Sequence, residues 1–265
     1  MTITRALFFC LLLGIVATSA LAGSRPSLQH EEAHYSSQQI MQFAKQVERE
    51  MAQRGARVAI VGRVGMEPEQ LPPGIRFTHV GFAVYSRITT KDGTNIPGYA
   101  MYNLYQDPKK PSQSSLEQDY PPDFFSPSVQ LKAGIIIPNT ALQRRLLSLI
   151  TQPNVTAALH NPHYSVISNP WDDRFQNCTE YVLRLTMAAI YNTTDPQQIQ
   201  SNIRHYFTPQ PLALSKVELW LGSLLAADVF LQDQGERAQT TTFTSLANFM
   251  QQHQLADAVF TVEQP

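Results

Sequence analysis

Two cysteines occur in the 265-residue chain, Cys10 and Cys178, and only the second stands among residues able to put a thiol to use. Asn177 is a favoured N-cap and Glu180 stands three residues on, the reciprocal spacing of a capping box. Leu183, Leu185, Met187, Ala188 and Ile190 continue an apolar helical pattern, so Cys178 is expected at the first position of a buried helix. There the positive end of the helix dipole favours thiolate over thiol, and backbone N–H groups can hold a tetrahedral oxyanion. A nucleophilic Cys needs a base, and the string Phe77-Thr78-His79-Val80-Gly81-Phe82 offers one on a strand. Strand alternation puts His79, Gly81 and Ala83 on one face, with Gly81 leaving room for close approach. Asn103, on the following strand, is placed to orient the imidazole through its amide oxygen. Such a trio performs acyl transfer through a thioester. The same residues also admit plainer roles: a buried thiol packing as a small hydrophobe, and a strand histidine bonded to backbone or solvent.

Other chemistry-bearing patterns carry less. His30-Glu31-Glu32-Ala33-His34 matches the H-E-x-x-H zinc pattern, but it sits in a polar stretch with no apolar periodicity to bury it, and reads as accidental. His160 and His163 are three apart, but Pro162 breaks a helical arrangement, and they are assigned to a loop near the site rather than to a metal. Asp172 and Asp173 belong to a turn before an N-cap, where Asp serves local hydrogen bonding. Gln176 is a candidate side-chain donor to the oxyanion. Trp171, Tyr120, Phe124 and Phe125 are candidates for a substrate groove, although large aromatics commonly fill a core. No metal and no cofactor is expected.

The elements that must position these residues follow from periodicity. An amphipathic helix is predicted over 37–54, strands over 57–64, 75–87 and 98–106, and a turn at Asp92-Gly93 that makes the last two antiparallel partners. Residues 107–127 read as a long irregular segment rich in Pro, Ser, Asp and aromatics. A buried strand over 133–137, a helix over 140–150 and a strand over 164–168 come next. Helices are expected over 178–191, 196–206, 215–231 and 244–253, and a terminal strand over 259–262. The fold class is α+β, with a small antiparallel sheet preceded by one helix and followed by several. Residues 1–22 have the positive start, apolar run and Ala20-Leu21-Ala22 ending of a signal peptide. Residues 23–36 form a polar tail and 37–265 one domain, helical from about 196. Loss of Cys10 with the signal leaves Cys178 without an internal disulfide partner. With 20 basic and 21 acidic side chains and no single-sign block, a nucleic-acid binder is excluded on electrostatic grounds. No later run is long and apolar enough for a membrane span.

The His-Val-Gly-apolar strand and the Asn-Cys-x-x-aromatic-Val helix start resemble the two signatures of the NlpC-like papain superfamily. His79 precedes Cys178 by 99 residues, which resembles the circularly permuted branch that includes lecithin:retinol acyltransferase-like proteins. That branch reads Asn-Cys-Glu-His-Phe where this chain has Asn-Cys-Thr-Glu-Tyr, and it often has His where Asn103 stands. At closer range the span from about Ser37 to Asp233 resembles the exported proteobacterial family called domain of unknown function 2145. The strings AKQVEREMAQRGARVAIVGRVG, FTHVGFAVYS, GYAMYNLYQ and SVISNPWDDRFQNCTEYVL carry that likeness.

The resemblance implies a permuted papain-like core and a cysteine-dependent hydrolase or acyltransferase acting on an amide or ester. In it Cys178 attacks an acyl carbon, His79 takes and returns the proton, and Asn103 orients His79. Peptidoglycan peptides, other envelope amides and lipid acyl groups are the candidate substrates, and the periplasm the expected location. The competing reading is a non-catalytic envelope protein that keeps a papain-like shell for binding. It expects a buried Cys178 with His79 out of reach, whereas the enzyme expects the two within hydrogen-bond distance.

Overall fold

A computed structural model describes residues 34–89, 92–213 and 227–264. Helix α1 (Ser37–Gln53) starts at Ser36, whose hydroxyl accepts from the Gln39 N–H while the Gln39 side chain answers the Ser36 N–H. Its apolar stripe, Ile40, Phe43, Ala44, Val47 and Met51, is buried. Strands β1 (Val58–Val64), β2 (His79–Thr89) and β3 (Asn95–Gln106) follow, then β4 (Ser114–Asp119), the short helix α2 (Pro121–Phe125) and β5 (Gln130–Pro138). Helices α3 (Thr140–Ile150), α4 (Pro153–Ala158), α5 (Cys178–Tyr191) and α6 (Pro196–Tyr206) come next. The two-residue strands β6 (Gln210–Pro211) and β7 (Gln239–Thr240), helix α7 (Phe243–Gln252) and strand β8 (Ala256–Glu263) complete the described chain.

Six strands form one antiparallel sheet in the order β4-β3-β2-β1-β5-β8. β1 is buried along its whole length, as a central strand covered on both faces must be. On one face Ile60, Val80, Phe82, Val84, Leu104 and Ile136 share a core with α3, α5, α6 and α7. On the other, Ala59, Val61, Ala83, Met101 and Ile135 pack against α1 and against Phe124 and Phe125 of α2. The sheet is thus a partition with helices on both sides. Gly134 lets it thin: a Cβ there would stand 2.7 Å from the rings of Phe77 and Phe243, which meet edge to face at 4.7 Å.

Most of the expected elements form, with α1, β1, β3, α3, α5, α6 and α7 within about three residues of their predicted bounds. Four differences have physical causes. Residues 75–78 lie outside β2, and the Thr78 N–H instead donates to the Arg63 carbonyl while its hydroxyl accepts the Gly65 N–H. The segment 107–127 holds β4 and α2; β4 (SSLEQD) pairs through backbone on an edge and so shows no apolar alternation. Residues 164–168 make one bridge, Tyr164 to Gln176, rather than a strand. The sheet has six strands because β8 extends over eight residues and pairs with β5. The signal peptide, the metal-like residues His30 to Ala33 and most of the helix expected over 215–231 lie outside the described residues, and 227–231 are not helical.

Candidate functional site

Asn177 caps α5 as its type demands: Oδ1 accepts the Glu180 N–H at 2.8 Å. Its Nδ2 donates to the Val166 carbonyl and to the Thr240 hydroxyl, which donates in turn to the Ser168 carbonyl. The cap therefore ties the start of α5 to two remote segments. The Glu180 side chain does not close a capping box. It turns to Arg184, one turn on, whose Nε and Nη2 each lie 3.0 Å from Oε1. Burial pushes the Glu180 carboxyl up to about 7, against the pull of Arg184.

Cys178 is 3% exposed and lines a cavity of about 350 Å³. Met66, Leu71, Ile75, Phe77 and Leu212 supply much of its apolar wall. Its polar lining comes from Gln70 and Thr78, from Asn177 and Thr179 at the start of α5, and from Thr240, Thr241 and Thr242 at the start of α7. The Thr242 hydroxyl caps α7 by accepting the Ser245 N–H at 3.0 Å. Among the described residues no charged side chain lines the cavity. The volume is in the range of small-molecule sites.

His79 and Asn103 are brought together, with Nε2 and Oδ1 3.2 Å apart. Asn103 Nδ2 donates to Asp119 Oδ1 at 2.9 Å, which identifies Oδ1 as the acceptor and puts the imidazole proton on Nε2. Asp119 Oδ2 accepts from the Tyr105 hydroxyl at 2.6 Å, and the Tyr105 ring stacks on His79 at 4.7 Å. The four residues close a ring. Its geometry depends on Gly81, where a Cβ would stand 2.2 Å from Asn103 Oδ1. His79 is fully buried and held well below its ordinary value, first by desolvation and then by Arg63, its cross-strand partner. Burial raises Asp119 to about 6, although Tyr105 and Asn103 both hydrogen-bond it.

The expected meeting of His79 with Cys178 does not occur. His79 contacts Phe124 and the Asn103 side of β3, on the α1 face of the sheet, while Cys178 belongs to the core on the α5 face. The alternation in β2 explains it. Val80, Phe82 and Val84 offer the broader apolar seat and take α5, which leaves the small Gly81 and Ala83 facing α1. The thiol thus has the cavity, and the imidazole has the buried ring behind the sheet.

Gln176 is buried, accepting from the Asn161 N–H and donating to the Leu159 carbonyl, and it does not line the cavity that holds Cys178. Asp172 makes the local bonds of a turn, to the Arg174 backbone and guanidinium, which hold its carboxyl below the usual range. Asp173 gives its carbonyl to Asn161 Nδ2. His160 bonds the Ser114 hydroxyl at 2.9 Å, and the described residues hold no metal-binding group of three or more His, Cys, Asp or Glu. Phe124 and Phe125 are core; Trp171 and Tyr120 are partly exposed; none of the four lines the cavity. The residues not foreseen are Tyr105, Asp119 and the threonine run 240–242. Tyr105 shares a strand face with Asn103 by simple alternation, and Thr-Thr-Thr before an apolar period is a recognisable cap. The polar strand that brings in Asp119 carries no such signal.

No curated protein and no solved structure matches the chain. Residues 50–250 match the family described as "Uncharacterized protein conserved in bacteria (DUF2145)". That span contains β1 through α7 apart from its last residues, the cavity wall and the whole His79 ring. The chain belongs to the DUF2145 family.

Proposed function

We propose that this protein is an exported bacterial envelope protein that binds a small apolar molecule in the Cys178 cavity, on a permuted papain-like shell. One observation carries the reading: Cys178 lines the largely apolar cavity, while the histidine that would activate it lies on the opposite face of the sheet. The order of His79 strand before Cys178 helix, with that helix packed on an antiparallel sheet, supports the papain-like part of the reading. A neutral solvatochromic dye titrated into the full chain gives a saturable blue shift, and prior alkylation of Cys178 abolishes it. A signal that fails to saturate, or that ignores alkylation, removes the binding reading.

The position of Cys178 at the first residue of a capped helix, facing that cavity, favours a second reading. In it the thiolate attacks the acyl carbon of an ester or amide, expels the alcohol or amine, and passes the acyl group to water or another nucleophile. The two readings part on His79. Under the binding reading, His79→Ala leaves the pH dependence of Cys178 alkylation by iodoacetamide where it stands in the unaltered chain. A rise in the apparent thiol pKa on losing His79 identifies a coupled pair and restores the enzyme.

A further inference from the structure

We propose that the groove between α3 and the end of α5 binds a small phosphomonoester, with Arg144 and Arg145 on its phosphate. This groove lies at the opposite end of α5 from Cys178, has a volume of about 330 Å³ and shares no lining residue with the Cys178 cavity. Helical spacing builds it. Arg144 and Ser148 stand four apart on α3, as do Arg145 and Leu149, so the four share one side of the helix. From α5 come Ala188 and Ala189, whose short side chains leave the space open, and the capping residue Asn192.

Charge in the groove is one-sided. Two guanidiniums line it and, among the described residues, no carboxylate does. Arg144 is exposed and makes no hydrogen bond or ion pair with the described residues. Arg145 is pinned by the backbone: Nη1 donates to the carbonyls of Ala189 and Ile190 at 3.3 and 3.0 Å. Those carbonyls end α5 and have no partner within the helix. The Ala188 carbonyl accepts the N–H groups of Asn192 and Thr193. The negative end of the α5 dipole is therefore already answered, and Arg145 keeps Nε and Nη2 for another acceptor. Asp195, the next acid along the chain, turns its carboxylate to the Gln197 N–H at the start of α6.

A doubly charged anion suits this place. One guanidinium fork matches a carboxylate, whereas a phosphate dianion has oxygens for two forks. Two hydroxyls add donors: Thr194 has no partner among the described residues, and Ser148 accepts from Gln152 at 3.4 Å with its own hydrogen left to give. The phosphate takes only part of the room. The volume equals about eleven waters at ~30 Å³ each, and Leu149, Ala188 and Ala189 offer apolar contact to an organic remainder.

Isothermal titration of the full chain with phenyl phosphate, inorganic phosphate, benzoate and benzyl alcohol tests this. Phenyl phosphate is expected to bind tightest, by about tenfold over benzoate, with inorganic phosphate weaker for lack of apolar contact and benzyl alcohol weakest. Arg145→Ala would also release the end of α5, so Arg144→Ala is the cleaner variant. It leaves the melting temperature of the unliganded chain in place and lowers phenyl phosphate affinity about tenfold. Thr194→Val lowers it severalfold, and alkylation of Cys178 leaves it unchanged. Sedimentation with vesicles of phosphatidylcholine, alone or mixed equally with phosphatidate, identifies the source of the phosphate. Arg144-dependent binding to the mixed vesicles alone makes it a lipid headgroup, and any other pattern leaves a soluble ester. Equal binding of phenyl phosphate and benzoate, indifference to Arg144→Ala, loss on Cys178 alkylation, or failure of all four probes overturns the assignment. The dye titration of the Cys178 cavity stands or falls separately.

Discussion

Glu180 is the residue whose surroundings most oppose its ordinary ionisation. It is fully buried in the first turn of α5, and desolvation raises its carboxyl from 4.5 to about 7 despite Arg184. A carboxyl raised in the fold binds its proton more tightly there than in the unfolded chain. Its contribution to stability is therefore complete below about 4.5 and declines as pH climbs towards 7. Glu180→Gln keeps an acceptor for Arg184 and does not titrate. The melting temperature of that variant, relative to the unaltered chain, is expected to rise steadily between pH 4.5 and 7. His79 titrates with the opposite sign, because its lowered value removes stability as pH falls below 6.5, but it is common to both proteins and cancels in the difference. A flat difference across that window shows that Glu180 keeps an ordinary carboxyl. The helix start around it was plain from Asn177, Cys178 and the apolar run behind them. The salt bridge to Arg184 was not, since the three-residue spacing of Asn177 and Glu180 equally suits a capping box, and only packing decides which way the carboxylate turns.

At the scale of elements, the contact of β1 and β5 with the Phe77–Phe243 pair decides how α7 meets the sheet. Gly134→Ala pushes a methyl within 2.7 Å of both rings, and overpacking of this kind costs about 1–3 kcal/mol. Chemical denaturation is expected to show that loss, and because Phe77 lines the cavity the same variant weakens dye binding there. Unchanged stability means the rings have room to slide. Strand and helix positions were mostly readable, because α1, α3, α5 and α6 carry three-and-four spacing and β1 and β2 carry apolar runs. The placement of His79 was not. Alternation fixes which residues of β2 share a face but says nothing of which helix claims that face, and α5 and α1 both have apolar stripes to bury. Asn103 lies beside His79 through the β2–β3 pairing that the Asp92-Gly93 turn signals, whereas Asp119 arrives on a strand with no apolar alternation to announce it.

For the whole molecule, helices on both faces make β1, β2 and β5 the best-shielded part of the sheet, with β4 and β8 at its edges. Native-state hydrogen exchange is expected to protect β1 amides longest and β4 amides least, and the reverse order would mean the two helical layers do not close on the sheet together. The cavity is assembled from five places distant along the chain: 66–78, 164–167, 177–179, Leu212 and 240–242. No local piece of the polypeptide contains it. A molecule settled there touches the start of β2, the approach to α5 and the entry to α7 at once, so it acts as a clasp on the finished fold. Its grip would appear first as slower unfolding and greater resistance to proteases, well before any change in shape, and a chain shortened ahead of residue 240 would have nothing to grip.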